Sequence, residues 1–260
     1  MSVIHFETLG CKLNQIETES LAQEFLRAGF SVTDSLPENE ALSPNENPII
    51  SIVNTCTVTG KAEQKARRLI RLLLRKWPDT PVLVTGCYAE VEADTIAAID
   101  PAVRVVPGSR KNELADLPPF LRDHLALGGQ SIVEILDGFI GENRSESVPF
   151  RLSTDNFQFH SRASIKIQDG CNNMCAYCRI RLARGHSVSL PANDVLTRIK
   201  AIEEAGWNEV IITGVNLSQY RSDNKGFADL LKLILDTTSR IQVRISSLYP
   251  ESIDDALVPI

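Results

Sequence analysis

Ser164 to Cys178 reads SIKIQDGCNNMCAYC. Its first five residues, rich in isoleucine, read as a strand that ends on a tight loop. On that loop Cys171, Cys175 and Cys178 are separated by three residues and then two. Three thiolates so placed hold three irons of a 4Fe-4S cube and leave the fourth iron an open coordination position. Structural zinc is the alternative reading, but zinc sites draw on paired C-x2-C knuckles and often on histidine. No second C-x2-C follows, and His160 and His186 sit at no regular ligand spacing.

Downstream of the loop the sequence predicts a helix over Asn193–Ala205, a strand Glu209–Thr213, a helix Phe227–Thr237 and a strand Gln242–Ser246. That is a run of β/α units. Closed barrels of such units need about 200 residues or more, and Arg151 to Ile260 is 110 residues. The expectation is a barrel unfinished at the C-terminus, with Gln242–Ser246 as an open edge. Upstream, the polar stretch Asp137–Asp155, containing GENRSES, reads as a domain boundary, dividing the chain into residues 1–137 and 151–260.

The first of these parts alternates strand and helix signals, the pattern of a parallel sheet covered on both faces. Predicted strands are Val3–Thr8, Ile49–Asn54, Val82–Thr85, Val103–Val106 and Ser131–Leu136. Predicted helices lie near Glu17–Ala28, Lys61–Trp77, Ala93–Ile99 and Pro119–Leu127, and Pro37–Pro48 reads as a loop. The fold class is α/β, an open parallel-sheet domain followed by the first half of a (β/α) partial barrel. Cys11, Cys56 and Cys87 each stand just past the carboxyl end of a predicted strand, where open parallel sheets place their ligand sites. Any one of them alone reads as a small buried hydrophobe. Three at equivalent strand ends read as a second ligand set, and Gly10 and Gly86 before two of them would let the backbone approach a bulky cluster.

Composition sets the frame. The chain has 260 residues, 43% apolar, with a net charge of -6. That is enough apolar material for one large or two ordinary cores, and it gives no general argument for nucleic-acid binding. No basic segment leads an apolar one at the N-terminus, and no apolar run approaches a membrane span, so the expectation is a cytoplasmic protein. Its six cysteines then read as ligands rather than disulfides. One local exception to the acidic balance is Lys61, Lys65, Arg67, Arg68, Arg71, Arg75 and Lys76 against the single acid Glu63. It reads either as a phosphate-contacting stripe or as a solvated outer face, with Leu69, Ile70, Leu73 and Trp77 turned inward.

The C-x3-C-x2-C loop, with Tyr177 before its third cysteine, resembles the radical S-adenosylmethionine (radical SAM) enzymes. Adding TLGCKLNQIE, NTCTVT, VTGCYAE, LARG, TGVNLSQY and RISSLYP narrows the resemblance to the methylthiotransferases. LGCKLNQ followed by NTCTVT looks most like the branch acting on threonylcarbamoyladenosine in tRNA. Other branches modify isopentenyladenosine in tRNA or a ribosomal-protein aspartate. A non-catalytic iron-sulfur or zinc module is the reading from another class.

The resemblance implies two 4Fe-4S clusters, an auxiliary one on Cys11, Cys56 and Cys87 and a SAM-cleaving one on Cys171, Cys175 and Cys178. It also implies S-adenosyl-L-methionine, a tRNA substrate next to the anticodon, and an electron donor such as a flavodoxin or ferredoxin. Tyr177, Gly214, Asn216 and Ser246 are implied cofactor contacts, and Arg184 would meet the SAM carboxylate or an RNA phosphate. Two features depart from the pattern. Leu190 stands where many members carry a basic residue, and the rest of the barrel and the usual RNA-binding domain are missing. We predict that a Cys171, Cys175 and Cys178 to Ala variant loses about half the iron of the anaerobically reconstituted protein. Stoichiometric zinc with little iron, measured by metal and sulfide analysis, would overturn that reading.

Overall fold

The computed structural model describes residues 2–36, 47–142, 150–152, 156–246, 248–250, 253 and 257–258. The first part is a five-stranded parallel sheet formed by β1 (Val3–Thr8), β2 (Ser31–Thr33), β3 (Ile50–Thr55), β4 (Val82–Gly86) and β5 (Val103–Val105). Its spatial order is β2-β1-β3-β4-β5, so the direction of winding switches between β1 and β3. In sheets of this order the ligand crevice opens at that switch, outside the carboxyl ends of the strands.

Alternation along the strands builds two cores. Ile4, Phe6, Ile50, Ile52 and Leu83 face one way, against α1 (Lys12–Arg27), α5 (Leu117–Leu127) and α6 (Ile132–Gly141). Val53, Val82 and Val84 face the other way, against α2 (Gly60–Lys76) and the short helices α3 (Cys87–Val91) and α4 (Ala93–Ala97). On α2, Ala66, Ile70 and Leu73 recur at helical spacing and are buried, each larger side chain contributing roughly 1.5–3 kcal/mol.

The second part is a three-stranded parallel sheet of order β10-β9-β6, from β6 (Ala163–Lys166), β9 (Glu209–Thr213) and β10 (Gln242–Ile245). After β6 the chain makes a small antiparallel pair, β7 (Gln168–Asp169) with β8 (Val188–Ser189). The short helix α7 (Ile180–Arg184) lies between these two strands. Helices α8 (Ala192–Glu204) and α9 (Phe227–Thr237) cover the sheet, closing a core around Ile165, Val195, Ile199, Val210, Leu230 and Ile234. β10 pairs with β9 alone among the described residues.

Several elements differ from the sequence expectation. Ser131–Leu136 is not a strand but opens α6: the Ser131 side chain accepts from Glu134 N while the Glu134 carboxylate accepts from Ser131 N at 2.7 Å. This reciprocal cap, with Ile135, Leu136 and Phe139 buried on one side, stabilises a helix over the β-branched run. α1 begins directly after Cys11, more than a turn before Glu17; the expected helix Ala93–Ile99 is α4, ending at Ala97, and α3 before it was not anticipated. β2 was not anticipated. Most of Pro37–Pro48 and much of the boundary stretch Asp137–Asp155 lie outside the described residues.

The two parts are joined through α1, which is buried on nearly every side. Its polar residues Asn14, Glu17, Thr18, Glu19 and Ser20 are as inaccessible as Leu13 and Phe25. Glu19 explains one of them: its carboxylate accepts from Gln158 N at 2.6 Å, Phe159 N at 2.9 Å and His160 Nδ1 at 2.6 Å. It therefore terminates the segment that enters the second sheet. Glu19→Ala removes the acceptor of two part-buried backbone donors, and a loss of about 1–3 kcal/mol in urea unfolding is expected. An unchanged midpoint would show that the segment is held elsewhere.

Candidate active site between two cysteine sets

β1, β3 and β4 are neighbours in the first sheet, and each delivers one cysteine at its carboxyl end. Thr55 pairs with Gly86 in the parallel ladder, so Cys56 and Cys87, the next residues, stand side by side. Cys11 is the N-cap of α1. Gly10 brings it in: with φ +113°, an added Cβ would lie 2.6 Å from Cys56 Cβ and 3.0 Å from its Sγ. At Gly86, φ +96°, a Cβ would lie 2.4 Å from Thr55 O. Both glycines thus serve close approach to the neighbouring strand end. Burial pushes the Cys56 thiol up, and Cys87 and Cys11 add to the rise against a Val58 backbone hydrogen bond and Arg184. The three thiols are electrostatic neighbours.

The second set is pinned by polar side chains from the ends of the second sheet. Buried Gln168 donates through Nε2 to Gly170 O at 2.7 Å and Ser187 Oγ at 2.9 Å, and its Oε1 accepts from Asn216 N at 2.8 Å. Gly214 lies against it, where a Cβ would meet Gln168 Oε1 at 2.8 Å. Gln219 accepts from Asn172 N at 2.8 Å and donates to Asn173 Oδ1 at 2.9 Å. Cys171 is buried, Cys178 half-buried and Cys175 exposed. Tyr177 stands out in solvent. The Tyr249 phenol is raised by burial and by Cys171, Cys175, Tyr177 and Cys178, which places it beside the loop.

Asn216 and Ser246 both end up at the end of β9. Asn216 is buried, its Oδ1 accepting from Ser218 N at 3.2 Å, and Ser246 Oγ bonds Thr213 Oγ1 at 2.7 Å. Leu190 is a core residue, and its carbonyl accepts from Tyr220 OH at 2.8 Å. Its departure from the family pattern is therefore a packing choice.

Between the two sets lies a group that the sequence reading missed. α7 starts two residues after Cys178 and packs on α3, which starts at Cys87. From its last position Arg184 reaches across to donate to both oxygens of Asp169 at 3.0 Å, to Asn14 Oδ1 at 2.6 Å and to Glu17 at 3.2 Å. With a side chain 6% exposed, Arg184 is not a surface ion pair, and its donors pair with Asp169, Asn14 and Glu17 inside the protein. Glu17 also accepts from Lys111 and, at 2.8 Å, from Lys166.

Burial alone would raise the Glu17 carboxyl, but Arg184, Lys111 and Lys166 outweigh it and hold the group well below the usual carboxylate range. Three cations face two anions, Glu17 and Asp169. They border a cavity of about 330 Å³ that Cys87 also lines. Among the described residues no group of three or more His, Cys, Asp or Glu closes on a single metal-ion position. A cube, in which each thiolate meets its own iron, does not require one.

Residues 3–108 match the family described as Uncharacterized protein family UPF0004, and residues 165–257 match the Radical SAM superfamily. A radical SAM methyltransferase from Kitasatospora setae, solved with tryptophan and a SAM analog, superposes with TM-score 0.50 at 15% identity. The superposition covers 91% of this chain and 51% of that one, a likeness of fold. The threonylcarbamoyladenosine tRNA methylthiotransferase of Treponema pallidum is 42% identical over 99% of the chain and 62% of its own length. That of Bacillus subtilis is 32% identical over 100% and 54%. A ribosomal protein uS12 methylthiotransferase of Caldicellulosiruptor saccharolyticus is 28% identical over 100% and 56%.

Residues 165–257 thus carry a Radical SAM superfamily match, on a fold that a solved radical SAM enzyme shares. Along its whole length the chain is similar to methylthiotransferases. It spans between about half and three fifths of the length of these curated relatives.

Glu17 yields a signed pH prediction. Its folded-state value lies below the unfolded one, so its stabilisation is complete above about pH 4.3 and is lost as pH falls through the depressed value. Glu17→Gln leaves three buried cations short of a partner, and a loss of roughly 3–5 kcal/mol at pH 7 is expected. The variant's stability should then depend less on pH below 4.3. Denaturant titrations of both proteins from pH 7 to pH 3 check this; parallel profiles of equal height would refute it.

Proposed function

We propose that the chain carries out tRNA methylthiotransferase chemistry on threonylcarbamoyladenosine next to the anticodon. One observation carries the reading: three strand-end thiols of one sheet and a three-cysteine loop of another meet at a single joint sealed by Arg184. In this reading Cys11, Cys56 and Cys87 hold an auxiliary 4Fe-4S cluster and Cys171, Cys175 and Cys178 hold a second. The donor chemistry fits, since the rise that burial, Cys87 and Cys11 impose on the Cys56 thiol is relieved when it binds iron as a thiolate. When bound, the clusters and S-adenosyl-L-methionine supply the radical chemistry and the transferred methylthio sulfur.

This chain's residues do the positioning. Gln168 ties Gly214 and Asn216 to the cysteine loop, so the cofactor-side turn and the cluster loop move as one unit. Gly214 leaves room there that a side chain would fill. Ser246 and Tyr177 flank the same end of the sheet, and Arg184 fixes that unit against the thiols of the first sheet. The fit of residues 1–137 and 151–260 to two cooperating domains belongs to this proposal. So does a one-electron donor, a flavodoxin or ferredoxin, working in the cytoplasm. No described helix is long and apolar enough to cross a membrane.

The substrate reading follows relatives named for threonylcarbamoyladenosine, 30–42% identical, against 28% and 27% for one named for uS12 and one for dimethylallyladenosine modification. Mass spectrometry of tRNA nucleosides from cells with and without the full-length gene tests it. Loss of the methylthio form of threonylcarbamoyladenosine is expected. A Cys11, Cys56 and Cys87 to Ala variant should abolish that product while leaving SAM cleavage measurable. Loss of methylthio-isopentenyladenosine instead, or product retained by the variant, would overturn the assignment.

A further inference from the structure

α2 carries the cations that the site does not use. Of its seven basic residues, two are engaged within the fold. Arg67 donates to Tyr88 OH at 2.6 Å, and Lys76 lies over the Trp77 ring at 5.8 Å. The remaining five, Lys61, Lys65, Arg68, Arg71 and Arg75, are exposed. None forms an ion pair among the described residues, although Lys65 lies close enough to act on the Glu7 carboxyl. Glu63, the helix's acid, is turned away to Arg179.

Lys61, Lys65, Arg68, Leu72 and Arg75 recur every three or four residues and so form one line along the helix. They step by about 4.5–6 Å over roughly 21 Å. Arg71 flanks the line, and Lys65, Arg68, Leu69, Arg71, Leu72 and Arg75 border a shallow groove of about 390 Å³.

The line starts at the joint. Its N-cap, Thr59, is three residues past Cys56, and Glu63 meets Arg179, the residue after Cys178. A groove of this composition, with Leu72 its one exposed apolar side chain, lacks the apolar centre of a protein interface. A row of one sign, rich in guanidinium and extended in one direction, matches a polyphosphate backbone. We propose that this face of α2 binds RNA phosphates and leads the strand toward the joint between the cysteine sets. This deepens the tRNA reading and rests on it.

The probe is a fluorescently labelled anticodon stem-loop RNA, its binding to the chain followed by anisotropy across a salt series. Replacing Arg68, Arg71 and Arg75 by Gln removes three phosphate contacts. The slope of log affinity against log salt should fall by about 2, and affinity at 0.1 M salt by roughly a hundredfold. A control with Lys200, Lys232 and Arg240 replaced by Gln changes net charge equally, on the exposed faces covering the second sheet, and should leave both values in place. Thermal melts by circular dichroism verify that each variant is folded.

Absence of RNA binding by the wild-type chain, an unchanged slope in the α2 variant, or an equal drop in the control would overturn the proposal. Loss confined to a polyglutamate probe would reassign the face to an acidic protein. The two readings fail separately. If the full-length protein makes no methylthio nucleoside while stem-loop binding still needs the α2 arginines, the reaction assignment falls and the surface stands. If product forms and the arginines are dispensable for binding, the surface falls alone.

Discussion

A single carboxylate, Glu17, gathers three buried cations from three parts of the chain, and the relation between the two sheets depends on it. Lys111 comes from the turn after β5, Lys166 from the end of β6 and Arg184 from the end of α7. Taking such charges out of water costs several kcal/mol each unless they find one another. The network is therefore satisfied only when both sheets are in place. Asp169, the second anion, neighbours the glycine that opens the cysteine loop, so the balance of charge passes directly into the loop's position.

α1 is shaped by the same constraint. A helix on the surface of a parallel sheet ordinarily shows water a polar face, whereas this one has the second sheet against what would be that face. Its Asn14, Glu17 and Glu19 each hold something across the joint: Asn14 the strand ends and Arg184, Glu17 the cations, and Glu19 the entering backbone. Polar residues here do the joining that apolar ones do elsewhere, and they impose a fixed geometry because hydrogen bonds are directional.

Much of this was legible in the sequence for definable reasons. The parallel strands and their helices follow from local periodicity, and the cysteines were recognisable because they stand at strand ends and on a tightly spaced loop. Ser131–Leu136 was misread since its β-branched run outweighed the Ser-x-x-Glu cap that in fact governs it. The charge network left almost no local trace. Lys111 lies 94 residues from Glu17 and Arg184 lies 167 away, and no periodicity links such positions. The one hint was the cluster of acids in NQIETES, too polar for a helix that must also bury Leu13, Ile16 and Leu21.

The ladder between β3 and β4 has a consequence for how the first cysteine set tolerates change. Cys56 and Cys87 inherit their separation from neighbouring strands, a repeat of about 4.8 Å that hydrogen bonding fixes. Cys11 instead rides on a loop bent by Gly10. Two of the three thiols thus depend on the ladder and one on a glycine turn held against it. Insertions between strands can accumulate in the connecting segments without moving the ladder pair, while a slip of one residue in the ladder would turn one of the two thiols to the opposite face. Register, more than loop sequence, is what this half of the site must inherit intact.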